Sequence, residues 1–132
     1  MEKNLVTIKN LSVEYKTKKG ILGTPRIVHA VNDISLDIKE GEILAIAGES
    51  GCGKSTLAKT IMKLVEPSKG EILLNGKNIL TLTGKEELKE FYKQVQMIFQ
   101  NPYSSLNPKM KIGQILKEPL EINTKKSKAE IE

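Results

Sequence analysis

Residues 48–55 have side chains and spacing suited to holding a polyphosphate. They read Gly-Glu-Ser-Gly-Cys-Gly-Lys-Ser and match the pattern G-x-x-x-x-G-K-[ST] at every constrained position. Small residues allow the backbone to curl until several N–H groups point inward at phosphate oxygens. A helix that begins here adds its free N–H groups and the positive end of its dipole. The sequence therefore predicts a phosphate-binding loop, here called the P-loop (residues 48–55), for a nucleoside triphosphate.

Two side chains of the P-loop carry most of the expected chemistry. Lys54 is placed to reach the β- and γ-phosphates, and the hydroxyl of Ser55 is placed to ligate Mg²⁺. An alternative role for Ser55 is to cap the helix that follows. The other residues of the predicted nucleotide site act mainly through their backbone: Gly48, Glu49, Ser50, Gly51, Cys52, Gly53 and Thr56.

The P-loop pattern requires a strand before it and a helix after it. Residues 42–47 form a near-continuous apolar run, which is typical of a strand buried on both faces. Leu57, Ile61 and Leu64 then recur at helical spacing, and Pro67 is expected to end that helix. The competing interpretation is a glycine-rich turn between strand and helix that binds nothing.

The segments around the P-loop predict a small antiparallel sheet. Residues 6–15 and 27–38 alternate apolar and polar side chains, as half-buried strands do, and residues 39–42 predict a tight turn. After the first helix, residues 70–75 predict a short strand, and Asn75-Gly76 is a strong signal for a hairpin turn.

The rest of the chain predicts helices and one more strand. The capping-box pattern of residues 83–86 predicts a helix from about Lys85 to Tyr92, and residues 95–99 alternate as a strand. Ile112, Ile115 and Leu116 predict a helix of two turns that stops before Pro119. A second capping box, at residues 127–130, predicts a helix close to the last residue; the alternative is a polar tail.

Composition narrows the class of protein. The 132 residues are 39% hydrophobic and 28% charged, which suits one soluble globular domain or part of one, and we expect a cytosolic location. Cys52 is the single cysteine, so a disulfide framework is excluded, and His29 is the single histidine and has no partner at metal-ligand spacing. The net charge of +5 comes from scattered lysines with few aromatic residues, so we expect no nucleic-acid partner.

The P-loop, followed by Val-Gln-Met-Ile-Phe-Gln at residues 95–100, resembles the ATP-binding subunits of ABC transporters. Residues 99–108 and 115–120 are similar to the oligopeptide, dipeptide and nickel importer branch in particular. The resemblance implies that Tyr15 stacks on adenine and that Gln100 contacts Mg²⁺ and water as the Q-loop glutamine. Without the resemblance, Tyr15 is a half-buried strand tyrosine and Gln100 a solvent-facing glutamine.

The resemblance implies an α/β fold: a P-loop NTPase core with an N-terminal antiparallel β subdomain, incomplete in this chain. The expected parts are the β subdomain with the first core strand (residues 1–47) and the P-loop with its helix (residues 48–66). The rest of the core up to the Q-loop (residues 67–101) and the start of the helical subdomain (residues 102–132) follow. The family's Leu-Ser-Gly-Gly-Gln signature, the aspartate and glutamate that follow it, and the switch histidine have no match here. We therefore expect a match to the N-terminal half of such a subunit, which binds ATP and Mg²⁺ but does not hydrolyse ATP alone.

The resemblance also implies partners and a location. The expected partners are membrane-spanning permease subunits, contacted near Tyr103 and residues up to Pro108, a second ATP-binding subunit and, indirectly, a solute-binding protein. The expected location is the cytoplasmic face of the cell membrane.

Two other functions compete with this interpretation. A free-standing P-loop kinase would need an arginine-rich lid, and Arg26 is the only arginine. A GTPase would need an Asn-Lys-x-Asp motif, which the sequence does not contain. A folded but inert fragment of the transporter subunit is the third possibility, and an ATP titration distinguishes it from the first.

Overall fold

The structure, a computed structural model, describes residues 3–17, 26–101, 105–124 and 126–131. The chain divides into two units, Met1–Thr83 and Gly84–Glu132. The first unit contains the β-sheet and the P-loop, and the second contains helices. In the described ranges, no helix combines the length and the apolar character that crossing a membrane requires.

A four-stranded antiparallel sheet organises the first unit. Its strands are β1 (Asn4–Thr17), β2 (Arg26–Lys39), β3 (Lys69–Leu74) and β4 (Lys77–Asn78), in the order β2-β1-β3-β4. The predicted antiparallel sheet is therefore confirmed, and β3 and β4 extend it. Asn75 and Gly76, between β3 and β4, both have positive φ, at 50° and 80°. Positive φ at both central residues is what a two-residue hairpin turn of the Asn-Gly kind requires.

Irregular pairing places Val28, Val31 and Ile34 of β2 on one face of the sheet. Val13 pairs with Val31, and its neighbour Glu14 pairs with His29, so Ala30 has no partner on β1 and forms a bulge. A second irregularity lies between residues 31 and 34 of β2, where Asp33 has a φ of 51°. Because of these extra residues, the three side chains share a face although they are spaced by three residues rather than two. Val31 is buried, whereas Val28 and Ile34 are 44% and 36% exposed.

The core of the first unit lies on that face. Its buried hydrophobic residues come from the three longer strands, α1 and the segment that follows β4: Ile8, Leu11, Val13, Val31, Leu57, Ile72, Ile79 and Leu82. Helix α1 (Lys54–Ile61) supplies Leu57 to this core. The P-loop is therefore attached to the sheet through the helix that directly follows it.

Helix α1 ends well before Pro67, so the predicted end of this helix was wrong. Lys63 adopts the left-handed conformation, with φ 56°, and the N–H of Leu64 donates to the carbonyl of Lys59 at 2.9 Å. This pair of features is a helix-ending motif that usually has glycine at the left-handed position. The ammonium of Lys63 donates to the carbonyls of Ile79 (2.6 Å) and Leu82 (2.8 Å), which fixes the unusual residue in place.

Residues 42–47 do not form the predicted buried strand. The segment has no regular secondary structure, and the Ile43 side chain is 97% exposed. A strand exists only through pairing, and none of the pairings between described strands includes this segment. The apolar pattern indicates that these side chains prefer a buried environment, but a strand also needs a partner strand, which the pattern does not provide.

The second unit contains three helices in its described residues: α2 (Lys85–Gln94), α3 (Ile112–Asn123) and α4 (Lys128–Ile131). Helix α2 begins where predicted, although Gly84 rather than Thr83 occupies the N-cap. Helix α4 follows the predicted capping box, of which half is present. The amide of Ser127 donates to the Glu130 carboxylate at 2.8 Å. The Ser127 hydroxyl donates to the same carboxylate at 2.7 Å, and the N–H of Glu130 donates to the carbonyl of Ser127 instead of its hydroxyl.

Two predictions for this unit were wrong. Residues 95–99 are irregular rather than a strand, and Ile98 is 96% exposed. As at residues 42–47, none of the pairings between described strands includes this segment. Helix α3 continues through Pro119 to Asn123 instead of stopping before the proline. Proline removes only one N–H donor, and the helix resumes with the N–H of Thr124 donating to the carbonyl of Leu120.

Candidate functional site

The P-loop curls through two glycines in the left-handed region. Gly51 has a φ of 82° and Gly53 a φ of 97°, values that favour residues without a Cβ. Between them, the N–H of Cys52 donates to the carbonyl of Glu49 at 3.3 Å and closes a turn. Helix α1 begins directly after Gly53. The N–H groups in its first turn have no intrahelical acceptor, as helix geometry dictates, so they form an anion-binding end.

The side chain of Lys54 folds back over the P-loop. Its ammonium donates to the carbonyls of Gly48 and Glu49, both at 2.7 Å, and lies 3.4 Å from the sulfur of Cys52. These contacts place the positive charge next to the loop backbone and the start of α1. No acidic residue lies in the first turn of α1. The N–H groups and the ammonium therefore combine into one positively charged surface that suits a polyphosphate.

The loop packs tightly within itself and against β2. A Cβ added to Gly48 would lie 2.7 Å from the sulfur of Cys52. A Cβ added to Gly53 would lie 2.0 Å from the carbonyl oxygen of Ala30, on the bulge of β2. Both distances are shorter than a van der Waals contact. Gly53 is required for packing and for backbone conformation, because its neighbour is backbone and its φ is positive. At Gly48 the constraint is packing against the Cys52 side chain alone.

A cavity of about 310 Å³ opens beside the P-loop. Lys54, Cys52 and Gly53 line one part of it, and the bulge region of β2 lines another. The sequence did not lead us to predict that β2 lines this site. A signal was available, because Val28, Val31 and Ile34 are spaced by three residues within a strand, which indicates inserted residues.

The Mg²⁺ and nucleotide expected from the sequence fit the donor set present here. The hydroxyl of Ser55 is exposed at the start of α1, and it makes no hydrogen bond within the described ranges. A hydroxyl beside a phosphate-binding turn suits an ion that is bound mainly through nucleotide phosphates and water. Among the described residues, no three or more acidic, histidine or cysteine side chains form a cluster that could hold a metal ion.

Tyr15 lies on the same face of the sheet as the P-loop. It follows Leu11 and Val13 at alternate positions of β1, and both of those are buried. Tyr15 pairs with Val28, two residues before the bulge that touches Gly53, and its side chain is 41% exposed. It does not line the cavity beside the P-loop. An aromatic ring at this position is accessible to a flat ligand, and its role in base stacking stays a prediction.

The remaining predicted site residues lie in the second unit. Gln100 is exposed at the end of the irregular segment 95–100 and makes no hydrogen bond within the described part of the chain. Tyr103 lies outside the described residues, whereas Leu106 is described and 53% exposed.

The second unit also holds a titratable group with a shifted pKa, since hydrogen bonds from the side chain and backbone of Ser127 lower the pKa of Glu130.

His29 is one of the residues of β2 that line the cavity beside the P-loop. It pairs with Glu14, and its Nδ1 lies 3.3 Å from a carboxylate oxygen of that residue. Glu14 sits between Val13 and Tyr15 on β1, so it points to the face opposite the core. The expectation that His29 has no part in the chemistry stays a prediction.

Comparison with known proteins places this site in a family. The family model described as "ABC transporter" matches residues 31–132. The chain is 46% identical over 127 residues to the dipeptide transport ATP-binding protein DppF of Haemophilus influenzae, covering 96% of the chain and 38% of that protein. It is 44% identical over 123 residues to the oligopeptide transport ATP-binding protein OppF of Bacillus subtilis, covering 93% of the chain and 38% of that protein.

Solved structures show the same fold. The ATP-binding cassette MJ0796, solved as a dimer bound to ADP and Pi, matches with a TM-score of 0.74 and 28% identity, over 96% of this chain and 52% of that one. CbiO1 from Clostridium perfringens, part of the transporter complex cbiONQ, matches with a TM-score of 0.69 and 28% identity, over 98% of this chain and 47% of that one. The chain thus spans about half the length of these domains and 38% of the two peptide-transport relatives. A P-loop at the start of α1, an antiparallel β subdomain and a family match over residues 31–132 show that this chain belongs to the ABC transporter family.

Proposed function

We propose that this chain binds Mg²⁺-ATP in the P-loop and belongs to the ATP-binding subunit of a peptide importer. The observation that carries the proposal is the P-loop geometry, in which the ammonium of Lys54 lies beside the free N–H groups at the start of α1. The transported class comes from relatives named for dipeptide and oligopeptide transport. Nickel, the other solute of the branch suggested by the sequence, stays open.

Different residues bind different parts of the Mg²⁺-nucleotide in this proposal. The backbone N–H groups of the P-loop hold the phosphates, and Lys54 neutralises charge on the β- and γ-phosphates, most strongly where charge builds up during transfer. Ser55 supplies an oxygen ligand to Mg²⁺, and Tyr15 supplies a stacking surface for adenine. The Q-loop role of Gln100 remains the proposal that follows from the resemblance. A bound Mg²⁺ would offset part of the charge on the phosphates.

In the full subunit, ATP binding and hydrolysis drive import. Two such subunits bind two ATP molecules between them and act on membrane-spanning permease subunits at the cytoplasmic face of the membrane. A solute-binding protein delivers the peptide. The dimeric form of the similar cassette MJ0796, bound to ADP and Pi, supports this arrangement.

An ATP titration tests the binding proposal directly. Isothermal titration calorimetry of the purified protein is run with ATP and with GTP, each with and without Mg²⁺. We expect saturable binding of ATP that strengthens with Mg²⁺, and we expect the 132-residue chain alone to release no phosphate. Absence of ATP binding would favour the inert fragment, and a strong preference for GTP would favour the GTPase.

The proposed contact with the permease is tested separately. Leu106 is an exposed apolar residue in the segment expected to meet the membrane subunits. Leu106→Ser is expected to reduce co-purification with the permease while leaving ATP affinity unchanged. Ile122→Ser, at an apolar residue of α3 that is 59% exposed, serves as the matched control. Equal loss of co-purification in both variants would contradict a specific contact at Leu106.

A further inference from the structure

The bulge of β2 presses a backbone carbonyl against the P-loop. Ala30 has no partner on β1, because Val31 pairs with Val13 and His29 with Glu14. Its carbonyl oxygen lies so close to Gly53 that a Cβ there would approach it to 2.0 Å. Bulges occur often next to active sites, where they change the direction of the chain. The bulge therefore brings a group from outside the phosphate-binding motif into contact with it.

Gly53 controls the direction in which α1 presents its N–H groups. It has φ 97° and ψ −1° and directly precedes the first residue of the helix, Lys54. Rotation at Gly53 turns the peptide plane that carries the N–H of Lys54. Glycine populates positive and negative φ about equally, so its own preference does not hold this conformation. A neighbouring group has to hold it.

The surroundings of Gly53 identify that neighbour. The Ala30 carbonyl is the nearest atom to the position of a Cβ on Gly53, and a methyl group of Val31 is next to it, at 3.7 Å from that position. Val31 is only 6% exposed and belongs to the core of the sheet. The Ala30 carbonyl thus belongs to a strand whose position is fixed by buried packing, so it can limit the backbone conformation of Gly53.

We propose that Ala30 is a positioning residue for phosphate binding. Its carbonyl restricts Gly53 to the left-handed conformation and so aims the first N–H groups of α1 at the bound phosphates. This inference rests on the proposed function, and it adds that phosphate affinity depends on one unpaired residue of β2, outside the P-loop.

Deletion of Ala30 provides the central test. Removing one unpaired residue restores regular alternation, because Val31 and Val28 stay on the core face and His29 stays on the other. Pyrophosphate is the probe, since it contacts only the phosphate site. We expect the dissociation constant for Mg²⁺-pyrophosphate to rise about tenfold, which corresponds to a modest loss of alignment. Thermal unfolding is measured in parallel.

Deletion of Asp33 is the matched control. It removes one residue from the other irregularity of the same strand, where Asp33 contacts Asn10 and Ser12 rather than the P-loop. We expect this deletion to lower the unfolding temperature and to leave pyrophosphate affinity within about twofold, since distant sites act independently. Equal loss of affinity in the two deletions would overturn the proposal.

A double-mutant cycle separates positioning from general stability. Gly53→Ala introduces a methyl group that meets the Ala30 carbonyl. In the chain that lacks Ala30 this clash is absent, so the same substitution is expected to cost about threefold less affinity than in the wild type. If the fold-losses in affinity of the two single variants simply multiply in the double variant, Ala30 and Gly53 act independently. That result would overturn the proposal.

Two outcomes distinguish this inference from the function on which it rests. If the wild-type protein binds neither ATP nor pyrophosphate, the proposed function fails. If the wild type binds and the deletion of Ala30 binds equally well, only the positioning role fails. If the deletion prevents folding, the Ala30→Gly variant tests the proposal instead. Glycine makes the backbone of the bulge more flexible without removing the residue. We expect at least about threefold weaker pyrophosphate binding for Ala30→Gly, and unchanged affinity would overturn the proposal.

Discussion

Replacement of Lys63 by alanine and by glycine separates two opposing contributions to the stability of the first unit. Lys63 follows α1 in the left-handed conformation, with φ 56°, which is unfavourable for a residue that has a Cβ. Its ammonium donates to the carbonyls of Ile79 at 2.6 Å, Leu82 at 2.8 Å and Leu80 at 3.4 Å. The hydrogen bonds therefore stabilise a backbone conformation that the residue type disfavours.

The two contributions have different magnitudes. Hydrogen bonds to a charged group each contribute about 1.5–3 kcal/mol, and partial exposure of Lys63 reduces this. Counting the two short bonds with that reduction, Lys63→Ala should cost about 2–3 kcal/mol. Lys63→Gly loses the same bonds but removes left-handed strain of about 1–2 kcal/mol. The glycine variant should therefore be about 1 kcal/mol more stable than the alanine variant, the reverse of the order inside a helix.

Urea denaturation of the two variants and the wild type measures these differences, from midpoints at constant slope. Lys59→Ala is the matched control, because Lys59 is an exposed lysine in the last turn of α1, and it should change stability by less than about 0.5 kcal/mol. A glycine variant less stable than the alanine variant would refute the left-handed conformation. An alanine variant as stable as the wild type would refute the hydrogen bonds.

Three further predictions concern the P-loop and α4. Ser55→Ala should weaken ATP binding about tenfold in the presence of Mg²⁺ and hardly at all in its absence, and equal loss in both titrations would contradict a metal-ligand role. Alkylation of Cys52, whose sulfur lies 3.4 Å from the Lys54 ammonium, should block ATP binding, whereas Cys52→Ser should bind ATP and resist the reagent; labelled protein with unchanged affinity would refute this. Hydrogen bonds from Ser127 lower the pKa of Glu130, so the capping interaction is present above the ordinary carboxyl pKa and is lost as the pH falls through the lowered value. An NMR titration should show this low pKa rising in Ser127→Ala, and an unchanged value would exclude the capping box.

Local signals in the sequence predict the parts of the fold that local chemistry determines. Alternation predicts β1 and β2, Asn75-Gly76 predicts the hairpin between β3 and β4, and the capping box predicts α4. The P-loop is predictable for the same reason, since its glycines meet backbone requirements that few other residues satisfy. The conformations of Gly51 and Gly53 agree with this explanation.

Features that depend on distant neighbours are not predictable in this way. Residues 42–47 and 95–99 carry strand patterns, yet pairing requires a partner strand that the pattern cannot name. The end of α1 depends on carbonyls that lie 16 to 19 residues beyond Lys63. The contact between Ala30 and Gly53 arises from the register of β1 against β2, which becomes visible only when the sheet is assembled.

The affinity of Lys54→Met for ATP tests the central claim most directly. The substitution keeps an unbranched side chain but removes the ammonium that lies 2.7 Å from the carbonyls of Gly48 and Glu49. Loss of a charge-assisted contact to phosphate predicts at least about tenfold weaker binding of Mg²⁺-ATP in calorimetry, with the protein still folded. Equal affinity in Lys54→Met and the wild type would contradict the account of the P-loop as a phosphate-binding site.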